Sequence, residues 1–203
     1  MRKQRPGAVA GEGSGVYELA VVELHDILDR FFETRREIFE AAAEAIAERV
    51  RAGGKILVFG NGGSAAEAQH FTAELVNGMG HRDRPPIPAI ALTTDTSSLT
   101  AIGNDRGFAL VFGRQVEALG RPGDVVVALT TSGASPNVVE ALKTARAKGL
   151  VTVGLTGEGG GQVAPLADFL LDVPSCSTAR VQEAHLFILH HLAGRLEESL
   201  GAP

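Results

Sequence analysis

KILVFGNGGSAAEAQHFTAELVN, residues 55–77, is the stretch on which the reading of this chain turns. It opens with Ile56, Leu57, Val58 and Phe59, an apolar run of buried-strand length. Gly60-Asn61-Gly62-Gly63-Ser64 follows. Then comes a helical pattern with Ala65, Ala68, Phe71, Ala73 and Leu75 on or near one side. A strand, a glycine turn and a helix start make an anion site. Glycines let backbone N–H groups approach a phosphate, and the helix N-terminus adds partial positive charge. Ser64 is expected to cap the helix and to donate to the same anion. The stretch lacks the Gly-Lys-Ser/Thr of a P-loop and is not a GxGxxG fingerprint. An ordinary strand–helix turn is the alternative at this point.

Working outward, four further short apolar runs alternate with helical patterns: Ala89–Leu92, Val125–Leu129, Val151–Leu155 and Phe169–Val173. Such alternation predicts an α/β fold, a three-layer sandwich around a five-stranded parallel sheet of the flavodoxin-like, doubly wound type. Ligands in such sheets bind beyond the carboxyl ends of the strands. A second hydroxyl-rich loop, Thr130-Thr131-Ser132-Gly133-Ala134-Ser135, stands at the carboxyl end of the third run, with Pro136 opening the next helix. Ser64, Thr130, Ser132 and Ser135 could therefore ring one phosphate. Neither loop holds Lys or Arg, so binding would rest on neutral donors and helix dipoles.

Ahead of the first strand, residues 16–52 form a helical pattern through Leu24, Ile27, Leu28, Phe31, Phe32, Ile38, Phe39, Ala42, Ile46 and Val50. Its length suggests a break near Thr34, and its apolar stripe suggests packing between subunits. Residues 1–15 read as a disordered tail, residues 16–52 as a helical arm and residues 53–203 as the α/β domain.

A formal net charge of −5 argues against a nucleic-acid binder. The single cysteine, Cys176, excludes an intrachain disulfide and a cysteine metal cluster, and it fits a reducing cytoplasm. No apolar run reaches membrane-spanning length, and the N-terminus lacks the apolar segment of a secretory signal.

His70 and Glu74 lie four apart on one predicted helix and share a face. By residue type alone, Glu74 reads first as a solvated helix carboxylate. The last helix is apolar on most sides, which suggests burial at a subunit interface. It carries His185, His190 and His191, among which residue type does not choose. Asp95, followed by Thr96-Ser97-Ser98, reads equally as a helix N-cap and as a ligand contact. Glu158 reads as exposed, Cys176 as passive, and His81 as a surface residue.

GNGGSAAEAQHF, the Asp95 segment running to Ile102-Gly103-Asn104-Asp105, TTSGAS, LTGEGGG and ARVQEAH resemble the sugar isomerase (SIS) domain proteins. More closely they resemble the phosphoheptose isomerases, from about residue 20 to the C-terminus. The resemblance implies a cytoplasmic homotetramer with sites at subunit interfaces. It implies interconversion of sedoheptulose 7-phosphate and D-glycero-D-manno-heptose 7-phosphate, the first step towards nucleotide-activated heptose and a lipopolysaccharide precursor.

Carried over residue by residue, the phosphate seat is Ser64, Thr130, Ser132 and Ser135, beside the Gly62 and Gly63 backbone. Sugar contacts are Asn61, Thr131, Asp95, Glu74 and Gln182. The general base is Glu74 and the general acid His190, which the family places in a neighbouring subunit's site. A zinc set would be His70, Glu74, Gln182 and His190, two nitrogens and two oxygens suited to that ion. Two departures stand out: Ala179 replaces a substrate-contacting Asp of some relatives, and Thr130 and Ala134 stand where Ser and Asn are frequent.

The alternative within the fold is a non-catalytic SIS regulator that binds sugar phosphate, or a tetramer that binds the replication initiator. Non-catalytic replication relatives lack the Glu and the last-helix His, and both are present here. The absence of an appended helix-turn-helix counts against a transcriptional regulator.

Overall fold

A computed structural model describes residues 15–80 and 83–201. The expected tail falls on residues outside these, except Gly15, and so does His81. Eleven main elements follow one another among the described residues: α1 (Val16–Arg51), β1 (Ile56–Gly60), α2 (Gly63–Asn77), β2 (Ala89–Ala91), α3 (Thr96–Arg106), α4 (Val111–Leu119), β3 (Val125–Thr130), α5 (Pro136–Ala147), β4 (Val151–Thr156), β5 (Phe169–Asp172) and α6 (Thr178–Leu200), with short 3-10 turns at Phe108–Leu110 and Ala164–Leu166. All five strands are parallel, in the order β2-β1-β3-β4-β5. The expected α/β class and its strands are found, with ends shifted by about a residue.

Helices cover both faces of the sheet. α1, α2 and α6 bury Phe31, Ile46, Phe71, Ile188 and Leu192 against Ile56, Val58, Val127 and Leu155. α4 and α5 bury Phe112, Val116, Val138 and Leu142 against Leu57, Phe59, Val126 and Ala128. Alternate residues of each strand thus feed opposite cores, as the pleat requires. β1 pairs with β2 on one side and β3 on the other, and Gly60 stands opposite Leu129. The chain reverses its winding there, so the loops after β1 and β3 open side by side onto the crevice where α/β sheets hold ligands.

Two expectations are corrected. α1 is one helix of 36 residues with no break at Thr34. The Thr34 hydroxyl donates to the Arg30 carbonyl 2.9 Å away, within the helix, instead of drawing the backbone out of it. One residue on, Arg35 forks onto Asp172 at the end of β5 at 2.6 and 3.1 Å. The α1 stripe is also covered largely within the chain, where Phe31, Phe39, Ala42, Ala43, Ile46 and Ala47 are buried. α6 likewise finds its cover in α1 and α2 of the same chain, so a buried terminal helix does not by itself demand a second subunit here. What stays exposed is the start of α1: Val16, Tyr17, Leu19, Val21 and Val22.

His185 resolves as a core histidine. It is fully buried, its Nε2–H donates to the Thr156 carbonyl at 3.1 Å, and its Nδ1 has no partner among the described residues. Burial pushes its pKa down from 6.5 to about 4, against the raising effect of the Thr156 bond. The unfolded chain therefore binds a proton that the folded chain refuses between those values. Stability from this group is complete above pH 6.5 and is lost as the pH falls towards 4, by on the order of 3 kcal/mol. Urea unfolding at pH 7 and pH 5 should show the loss. His185→Gln, which keeps a donor for Thr156 and does not titrate, should flatten it.

Candidate active site

The crevice expected to seat phosphate is built from two turns. β1 ends at Gly60, and Gly62 turns the chain with φ +56°, so that α2 begins at Gly63. The helix cap is Gly62, without a side-chain bond. Ser64 does not cap α2, contrary to expectation. It sits in the first helical turn, 3 % exposed, and its hydroxyl bonds Glu67. Across the crevice, the Thr130 Oγ1 lies 3.0 Å from Ser135 Oγ and 3.4 Å from Ser132 Oγ. Three hydroxyls of the four-residue seat thus converge on one another, and Ser64 lies at the head of the neighbouring helix.

Gly133 has φ +63°, and a Cβ there would run into the carbonyl of Gly160, so the loops after β3 and β4 pack backbone to backbone. Asn61 and Asn137 exchange two amide hydrogen bonds of 2.8 Å, which lace the β1 loop to α5. Asn137 escaped the sequence reading. Its only signal was its place just after Pro136, and a partner 76 residues away is invisible to local pattern. Thr131 is half-buried, and its carbonyl accepts the Gly157 N–H at 3.1 Å.

Ten residues along α2, a second cluster forms. His70 Nε2 lies 3.1 Å from Glu74 Oε1, His190 Nε2 lies 3.3 Å from the same oxygen, and the two imidazole nitrogens are 2.9 Å apart. α2 supplies the first two at (i, i+4), and α6 brings the third. All three belong to this one chain, so His190 closes the cluster against its own Glu74, where the resemblance had placed it in a neighbour's site. His191 points elsewhere: its ring stacks on Phe187 at 4.2 Å and lies 6.0 Å from Phe32 on α1.

The cluster can hold a cation. One ligand atom from each of His70, Glu74 and His190 lies within 4.8 Å of the others. The second carboxylate oxygen, Glu74 Oε2, is buried with no partner among the described residues. Two imidazoles and a carboxylate with a spare buried lone pair suit a zinc-like ion. Gln182, expected as a fourth ligand, has its amide by the first turn of α2. Its amide packs on Gly63, so close that a Cβ there would stand 2.5 Å from its nitrogen. α6 therefore runs alongside α2, with Gln182 at the phosphate end and His190 beside Glu74.

Asp95 caps α3. It accepts the Ser98 N–H at 3.0 Å and the Ser98 hydroxyl at 2.6 Å, and these bonds hold its carboxyl below the usual range. It borders a cavity of about 680 Å³ at the end of β2 with Thr94, Ser98 and Arg114. Glu67, also missed, is buried with one oxygen lacking a partner among the described residues. Burial, opposed by the Ser64 bond, pushes its pKa up to about 7. Glu158 is exposed as expected; Cys176 is exposed too, with its thiol 3.5 Å from the Glu158 carboxylate.

Comparison with known proteins gives one consistent result. The SIS domain family pattern matches residues 21–157. The phosphoheptose isomerase of Solidesulfovibrio magneticus is 55% identical over 171 residues, covering 84% of this chain and 83% of that protein. The phosphoheptose isomerase of Maridesulfovibrio salexigens is 51% identical over 165 residues, covering 81% and 80%. Among solved structures, phosphoheptose isomerase GmhA from Neisseria gonorrhoeae superposes with a TM-score of 0.84 at 43% identity, over 90% of this chain and 97% of that one.

Proposed function

This chain belongs to the SIS-domain phosphoheptose isomerases, and on that premise we propose that it interconverts sedoheptulose 7-phosphate and D-glycero-D-manno-heptose 7-phosphate, with Glu74 as general base and His190 as general acid. It is an aldose–ketose isomerase. The observation that carries the residue roles is the arrangement along α2, with a phosphate seat at its head and a carboxylate with a facing histidine ten residues on. That is about 15 Å of helix rise. Side chains lean towards the helix N-terminus, so the Glu74 carboxylate reaches back along a seated sugar phosphate.

Such an isomerase moves a proton between C1 and C2 through an enediol. From the ketose, Glu74 takes a proton from C1 while His190 donates to the carbonyl oxygen on C2. Protonated Glu74 then returns its proton to C2 as the C1 hydroxyl gives its own to His190, which leaves the aldehyde and restores both groups. Ser64, Thr130, Ser132 and Ser135 hold the phosphate with the Gly62 and Gly63 backbone. Asn61, Thr131, Asp95 and Gln182 meet the sugar hydroxyls between the two ends. Asp95 does so with whatever acceptor capacity its capping bonds leave.

His70, Glu74 and His190 would hold zinc. When bound, that ion supplies positive charge beside the sugar oxygens. Coordination occupies the lone pair that Glu74 needs as a base, so in this reading zinc modulates the site and proton transfer belongs to the side chains. Association into a homotetramer is supported by the exposed apolar start of α1 and by a groove of about 660 Å³ beside His190, lined by Phe32, Phe39, Met79 and Phe187. No helix among the described residues is long and apolar enough to cross a membrane, which agrees with a cytoplasmic site of action.

Incubation of the purified protein with sedoheptulose 7-phosphate, with and without chelator, tests the reading. Aldose product is expected in both arms, and the difference between them measures what metal does. Binding of the sugar phosphate without any product would instead leave a sugar-phosphate-binding regulator.

A further inference from the structure

α2 carries the proposed base and α6 the proposed acid, and neither helix is covalently near the other. The side chains that bridge them beyond the site are Arg84 and Glu197. Both are buried, each side chain 2% exposed. The Arg84 Nε and its terminal nitrogen lie 3.1 and 3.0 Å from Glu197 Oε1. The same terminal nitrogen donates to the backbone carbonyl of Glu74 at 2.9 Å. The other terminal nitrogen donates to the Pro85 carbonyl at 2.8 Å. Glu197 also accepts the Met79 and Gly80 N–H groups, at 2.6 and 3.0 Å. Glu197 follows His190 by seven residues, two turns on, and so shares its side of α6.

One planar guanidinium therefore touches the main chain of Glu74 on one side. On the other it touches the helix that bears His190. We propose that Arg84 and Glu197 are positioning residues of the isomerase site, holding the Glu74 and His190 side chains in register across the α2–α6 seam. Only a rigid fork spans both partners at once; a lysine ammonium is a point charge on a flexible stem. Stability is a poor rationale for the pair. Desolvating two charges costs about what their attraction returns, and apolar residues of similar volume commonly do as well or better. What an apolar pair lacks is direction: it fills the same space without fixing how far α6 stands along α2. The inference rests on the acid–base roles proposed for Glu74 and His190.

Two variants test it: Arg84→Lys, and the paired apolar replacement Arg84→Met with Glu197→Leu. The readouts are kcat, KM, thermal midpoint and the affinity of the protein for Co²⁺ followed by visible absorption. The paired variant is expected to fold, with a thermal midpoint lowered by the Met79 and Gly80 N–H groups and the Glu74 and Pro85 carbonyls that lose a partner. Both should keep KM within about twofold while kcat and Co²⁺ affinity fall by about tenfold or more, as for other residues that orient ligands from behind. A folded variant with parental kcat and parental Co²⁺ affinity would overturn the proposal and leave the pair a packing device. Should one variant fail to fold, the other decides. If the parent itself produced no aldose, the isomerase reading would fail, and Co²⁺ affinity would still report whether the pair sets the cluster's geometry.

Discussion

Glu74→Gln is expected to lower turnover by at least about 100-fold, the lower end for loss of one general acid–base group. The amide keeps the volume of the carboxyl and an oxygen able to meet His70 or His190. It cannot take a proton from carbon, and its –NH₂ brings donors where Glu74 Oε2 is buried without a partner among the described residues. The main chain at this position is held independently, since the Glu74 carbonyl accepts from Arg84 and from the Gly78 N–H at 2.8 Å. The helix should therefore survive, and thermal unfolding should confirm it. Because the phosphate seat lies ten residues away, competition by inorganic phosphate should be unchanged. Solvent-deuterium incorporation into the sugar separates this from a binding defect: with the base gone, exchange at C1 and C2 should cease along with turnover. A variant that retains near-full turnover would remove Glu74 from the mechanism.

How much of this was legible beforehand depends on how local each signal is. The glycine and hydroxyl loops could be read because a turn that needs φ > 0 or close backbone approach leaves its composition in the chain, as at Gly62 and Gly133. The sheet could be read because parallel strands buried on both faces are continuous apolar runs. What failed were features decided by distant partners. Thr34 looked like an interruption, but its hydroxyl bonds back within the helix, and Arg35 is fixed by Asp172, 137 residues away. Ser64 looked like a cap, yet Gly62 takes that position and frees the hydroxyl for Glu67. The three histidines of α6 could not be ranked by type. They separate only in the fold, since successive residues turn by about 100°. His185 thus faces the sheet, His190 faces α2 and His191 faces α1. Gln182 matched a ligand motif, and only the fold shows its amide packed against Gly63. Composition announces the two glycine turns, then, whereas the membership of a cluster assembled from two helices is settled by packing.

The phosphate seat makes the second large prediction, and its size follows from what the loops lack. With no Lys or Arg in either turn, the proposed seat would hold the dianion by neutral donors and helix ends, so each hydroxyl would carry an unusual share of the binding. A hydrogen bond to a charged group contributes about 1.5–3 kcal/mol. Removing two in Ser132→Ala with Ser135→Ala should cost about 3–6 kcal/mol, or roughly 10²–10⁴ in kcat/KM at about 1.4 kcal/mol per factor of ten. The two sites share Thr130 as a neighbour, so the combined loss need not equal the sum of the single losses. The fold has little stake in either hydroxyl. Ser135 is the residue before α5, yet its side chain makes no cap bond and turns instead to Thr130. Ser132 is exposed, and its oxygen accepts the Ala134 N–H at 3.2 Å and lies 3.4 Å from Thr130 Oγ1. The melting temperature should therefore move little while catalysis collapses. The loss should appear in kcat as well as KM, because the phosphate is remote from the reacting carbons, and remote binding energy serves to hold C1 and C2 against the acid and base. Inhibition by inorganic phosphate should weaken in parallel. A double variant with kcat/KM within tenfold of the parent and unchanged phosphate inhibition would mean that the anion sits elsewhere. Glu74 would then lie at the wrong distance along α2 to reach the carbons that must exchange their proton.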